Sequence, residues 1–125
     1  MKLLVLLFTF FAATSVYAAS YIETYRGTVP ANTASKKVET AIVESAKARR
    51  WVPKTINPGK IELVLNQRSH MVTVDVSYDQ KEFIFTYKDS ANMKYDDKKK
   101  TIHPKYGKWV RKLIKDIENR LMSAE

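Results

Sequence analysis

The chain has 125 residues, no cysteine and a formal net charge of +9. That length suits a single domain with one modest core, and the missing thiols exclude disulfides, cysteine nucleophiles and cysteine-based metal sites, so packing alone must hold the fold. The cationic surplus favours anionic neighbours by long-range attraction without saying which ones.

Residues 1–18 read as a cleavable secretory leader: Met1-Lys2 is a charged start, Leu3 to Ala13 is apolar except for Thr9, and Val16 and Ala18 are small residues placed for a signal peptidase. The apolar stretch is short of the roughly 20 residues that cross a bilayer comfortably. The expected product is soluble and exported to the periplasm or beyond, with no lipidation cysteine and no later transmembrane segment.

Residues 19–32 are an N-terminal arm or an edge strand, with Tyr21, Glu23 and Tyr25 alternating against Ile22 and Thr24 before Gly27 and Pro30. A single α+β domain over 33–125 follows. Thr33 or Ser35 can cap a first helix, in which Ala34, Val38, Ala41, Ile42, Ser45, Ala46 and Ala48 recur at helical spacing, ending near Arg50-Trp51 before Pro53. Asn57-Pro58-Gly59 is a turn signal. Three segments of period two come next, carrying Ile61/Leu63/Leu65, Val72/Val74/Val76/Tyr78 and Phe83/Phe85/Tyr87. Their short joins, Gln67 to Ser69 and Asp79-Gln80, force antiparallel neighbours. Asn92 to Tyr95 is a candidate fourth strand, and Asp96 to Lys100 a charged turn.

Pro104 suits a helix start. Tyr106, Trp109, Val110, Leu113, Ile114, Ile117 and Leu121 then form the clearest amphipathic stripe in the chain. The fold expected is α-β-β-β-α, an antiparallel meander of three to four strands with both helices packed on one face.

Chemistry-bearing residues are few. His70 and Arg68 share parity with the buried valines of the second strand. They read either as an anion site or general base, or as a sheet-end pair reaching solvent. His103 precedes Pro104 and reads as local capping or packing. Tyr87, Asp89, Ser90, Asn92, Tyr95, Ile102, His103, Tyr106 and Trp109 form a polar-aromatic group, either a recognition groove or a network pinning the last helix to the sheet. Arg68, His70, Asn92, Tyr95 and His103 are the candidate ligand contacts. Lys105, Lys108, Arg111, Lys112 and Lys115 make a basic helix face that could meet an anionic surface, with Lys98-Lys99-Lys100 just before it. His70, His103, Asp96 and Asp97 lack the spacing of a metal site. No nucleophile elbow and no glycine-rich phosphate loop is present among three glycines. No catalytic residue, metal or cofactor is assigned.

Arg50-Trp51, Pro58-Gly59-Lys60-Ile61, Arg68-Ser69-His70, Val74-Asp75-Val76-Ser77-Tyr78, Asp89-Ser90-Ala91-Asn92-Met93-Lys94-Tyr95 and Ile102-His103-Pro104-Lys105-Tyr106 followed by Trp109 resemble a group of small exported proteobacterial proteins, several of them lipoproteins. The likeness covers about half of the chain. It implies a Gram-negative envelope setting and no reaction. This chain departs from that pattern in lacking the lipidation cysteine and the Gly of the group's Arg-Gly-Trp. The reading is a non-enzymatic module binding an envelope protein or an anionic lipid or glycan, with no specific nucleic-acid role. The alternatives are an enzyme centred on His70 and His103, an anionic-surface binder acting through the basic last helix, or an assembly protein pairing through a strand edge.

Overall fold

The computed structural model describes residues 19–123; the leader expected at 1–18 lies outside the described residues. The elements run β1 (Ser20–Tyr21), β2 (Tyr25–Thr28), α1 (Ser35–Ala48), β3 (Trp51–Asn57), β4 (Lys60–Gln67), β5 (His70–Tyr78), β6 (Glu82–Ala91), β7 (Thr101–Ile102) and α2 (Lys105–Met122). The fold is α+β. Its main sheet is fully antiparallel in the order β2-β6-β5-β4-β3, and β1 pairs with β7 in a small second sheet.

The meander β4-β5-β6 follows the period-two pattern. Ile61, Leu63, Val72, Val74, Val76, Phe83 and Phe85 are all fully buried, and Leu65 nearly so. Both helices cover this face, α1 over β3 and α2 over β2, and they touch each other. Val38, Ala41, Ile42, Ser45 and Ala46 of α1 are buried, as are Tyr106, Val110, Leu113, Ile114, Ile117 and Leu121 of α2. Burying each large aliphatic or aromatic side chain contributes roughly 1.5–3 kcal/mol. A cysteine-free domain of this size depends on that sum.

Five strands form the main sheet, not three or four. The N-terminal arm is an edge strand after all: β2 pairs with β6, where Gly27 lies across from Phe83. The second added strand is β3. Pro53 and the Lys54-Thr55 pair hide it in the sequence, because proline and polar residues suit only an edge. Its helix-facing Trp51 is buried while Val52 and Ile56 stay exposed on the other face. Pro53, Lys54 and a register shift between Thr55 and Asn57 blunt this edge against further pairing.

Three smaller expectations are corrected. The first helix stops at Ala48, so Trp51 opens a strand. Neither Thr33 nor Ser35 caps it: Ala34 is the N-cap, and the Thr33 hydroxyl donates to the Pro30 carbonyl at 2.6 Å instead. Asn92 to Tyr95 is bend and loop, because Asn92 and Lys94 take left-handed backbone with φ of 57° and 54°. The Asn57-Pro58-Gly59 turn is present, with Gly59 at φ 87°, where that conformation favours glycine. Among the described residues no helix is long and apolar enough to cross a membrane.

Candidate functional site

One end of the sheet collects the chemistry. The end of α1, the start of β3, the β4–β5 turn, the residues after β6 and the first turns of α2 all converge there. The β4–β5 turn is tight, with Gln67 paired to His70 and Arg68-Ser69 between them. Beside it Asn92 folds back. Its side-chain amide donates to Ser69 Oγ at 2.8 Å, and its backbone carbonyl lies 2.7 Å from His70 Nδ1. A carbonyl can only accept, so Nδ1 of His70 carries a proton and donates it to this contact.

His103 has the opposite arrangement. Its Nδ1 accepts the Lys105 backbone N–H at 3.1 Å, satisfying an open donor of the first turn of α2. The neutral ring therefore carries its proton on Nε2. Burial holds the His103 pKa below its ordinary value, and the charges of Lys105, His70, Lys94 and Lys108 push the same way. The two imidazoles meet with centroids 6.1 Å apart, and His70 also contacts the Trp109 ring at 6.3 Å.

Trp109 leads from the histidines into a groove. A concavity of about 330 Å³ is lined by Ala48, Arg49, Arg50, Trp51, Leu65, Gln67, Trp109 and Lys112. A second, of about 420 Å³, shares Arg49, Arg50, Leu65 and Gln67 with it and extends over Asn66 to Arg68. Buried Trp51 and Leu65 make the floor, and the cations stand around it as exposed side chains. Arg49 is held by Asp116 in a two-pronged ion pair, one arm at 3.2 Å. Among the described residues, the side chains of Arg50, Arg68, Asn66 and Gln67 have no hydrogen bond or ion pair.

Three of the five expected ligand contacts thus come together, His70, Asn92 and His103, while Arg68 stands in the adjoining β4–β5 turn and borders the second concavity. Tyr95 does not join them. It stacks on Tyr87 at 4.8 Å and donates to Asp97 at 2.9 Å, beside a separate depression near Ile22 and Lys100. The basic face of α2 is exposed along Lys105, Lys108, Arg111, Lys112 and Lys115. Lys112 borders the groove, whereas Arg111 donates to the Tyr25 hydroxyl at 3.3 Å and lies over its ring. Sequence reasoning missed Arg49, Arg50, Gln67 and Lys112 as groove residues. Arg49-Arg50-Trp51, two adjacent cations beside an aromatic ring, is the signal in the sequence that points to them.

No protein-family model, curated protein or solved structure matches this chain. The site is therefore interpreted from its chemistry. Guanidinium groups without partners offer paired donors to carboxylate, sulfate or phosphate oxygens. Asp75 stands on the opposite face of the sheet, 3.7 Å from Lys60 and 3.9 Å from Lys88, and so cannot orient either histidine. Among the described residues no three His, Asp or Glu side chains are grouped to hold a metal.

Proposed function

We propose that this chain is an exported binding module of the bacterial envelope whose ligand is anionic and occupies the groove between α1, the β4–β5 turn and α2. The observation carrying this reading is the guanidinium set: Arg50 and Arg68 border one continuous groove with no acidic partner, next to Arg49 and Lys112. Charges left without partners on a structured surface are available to a ligand, and a cationic concavity raises the local anion concentration. The leader-like first eighteen residues agree with a module that meets its ligand outside the cytoplasm. A catalytic reading of His70 and His103 has less support, because the carboxylate nearest in sequence is committed to lysines across the sheet.

The test is calorimetric titration of the full chain, as recovered from the envelope, with inorganic tripolyphosphate at several salt concentrations. Binding that weakens with salt is expected, and changing Arg50 and Arg68 together to Gln should abolish it. Changing Lys108, Arg111 and Lys115 to Glu separates this groove from a basic helix face docking on acidic vesicles. If only the second set matters, the groove reading fails. Terminal sequencing of the recovered protein should begin at Ala19; an intact Met1 start would overturn the export assignment.

A further inference from the structure

We infer that the groove takes a strand of acidic glycan, a chain of sugar units carrying carboxylate or sulfate groups. This inference rests on the anion-binding reading and deepens it. Two overlapping concavities, of about 330 and 420 Å³, share Arg49, Arg50, Leu65 and Gln67 and carry the groove from Trp109 and Lys112 on one side to Arg68 on the other. Each is near the lower end of the roughly 300–1,000 Å³ range of small-ligand clefts. An extended ligand with several anionic groups can follow such a groove and meet more than one of its cations.

The wall chemistry points the same way. Beside Arg50 and Arg68 stands the amide of Gln67, on the same face of β4 as buried Leu65, exposed and without a partner among the described residues. An amide both donates and accepts, which matches a hydroxyl, whereas a fully ionised phosphate offers acceptors alone and has no use for the amide carbonyl. Trp109 is half-buried and supplies an aromatic surface at the inner end. Such a surface packs against the apolar C–H face of a sugar ring. Single-stranded nucleic acid needs successive exposed rings on which bases stack. Here the second tryptophan, Trp51, is 2% exposed.

The test measures quenching of tryptophan fluorescence by four probes at one ionic strength: a galacturonic acid hexamer, a neutral maltohexaose, oligothymidylate of matching charge and inorganic tripolyphosphate. The acidic hexamer should bind about tenfold more tightly than either other anion, and maltohexaose weakly. Changing Gln67 to Ala should cut that preference by about threefold to tenfold, the loss of one hydrogen bond, while leaving tripolyphosphate unaffected. Gln67 is exposed, so the variant should unfold like the parent. Equal binding of all three anions would overturn the glycan inference and keep the anion reading. Tighter binding of oligothymidylate would overturn it in favour of nucleic acid. Failure of every anion would overturn both.

Discussion

Arg50 and Arg68, one closing α1 and the other opening the β4–β5 turn, border the same groove and both hold left-handed backbone, with φ of 68° and 57°. Glycine occupies such positions without strain, whereas a side chain costs roughly 1–2 kcal/mol there. Arginine at both places puts guanidinium groups on the groove at the expense of stability. Replacing either by Gly should stabilise the domain by about 0.5–1 kcal/mol after the greater flexibility of unfolded glycine is offset. For a domain of this size that raises the melting temperature by about 2–6 °C. The same variants should bind anions more weakly. Thermal unfolding and titration on one preparation check both; a glycine variant that binds as well as the parent removes these arginines from the site.

Asp116 tests the reverse direction. Its ion pair with Arg49 is partly exposed, at 32% and 42% of side-chain area, so it adds at most about 1 kcal/mol to stability. Asp116→Asn should unfold nearly as the parent does. It should bind tripolyphosphate about threefold to tenfold more tightly, because it frees a third guanidinium. Unchanged affinity would mean that Arg49 never reaches the ligand.

His103 gives the pH dependence. Its folded pKa lies below the ordinary 6.5, from burial first and then from Lys105, His70, Lys94 and Lys108. As pH falls through 6.5 the unfolded chain takes up this proton before the folded one does. Stability therefore declines with falling pH from about 6.5 until the folded pKa is passed, and then levels off. His103→Asn keeps an acceptor for the Lys105 N–H and should flatten that slope in urea unfolding. A bound polyanion shields the neighbouring lysines and should raise the His103 midpoint in an NMR titration. An identical slope in parent and variant would reject the assignment.

Packing predicts an ordering of two glycine variants. A Cβ at Gly27 would fall 1.9 Å from Cζ of Phe83, a fully buried ring in the middle of the core. Gly27→Ala should cost about 1–3 kcal/mol or more. A Cβ at Gly107 meets the Tyr25 hydroxyl at 2.7 Å and Arg111 Nη1 at 2.8 Å. Arg111 ends a flexible exposed side chain that can swing away, so Gly107→Ala should be the milder change. Chemical denaturation of both reads the order directly.

What the sequence revealed divides along physical lines. Strands β4, β5 and β6 and helix α2 were legible because each buries one face, and burial imposes period two or 3.6 on apolar residues. Strand β3 was not, because an edge strand with one buried tryptophan carries too little periodicity and Pro53 argues against a central position. The meeting of His70, Asn92 and His103 was partly legible, since the first stands at the end of a recognisable strand and the last at a helix start. Tyr95 was misplaced because its direction depends on the left-handed Lys94 before it, and backbone sign at a lysine leaves no mark in sequence. Arg50 escaped for the same reason.

The open face of the sheet has a consequence for encounter. Lys88 pairs there with Glu62, and Lys60 and Lys88 flank Asp75, so that side is internally compensated while the sheet end bears arginine and lysine without equal acid. The unbalanced positive charge therefore lies at the sheet end and along α2 rather than on that face. A distant polyanion is drawn toward those cationic surfaces before any atom touches, raising the rate of productive collision. Ionic strength should then govern capture far more than release.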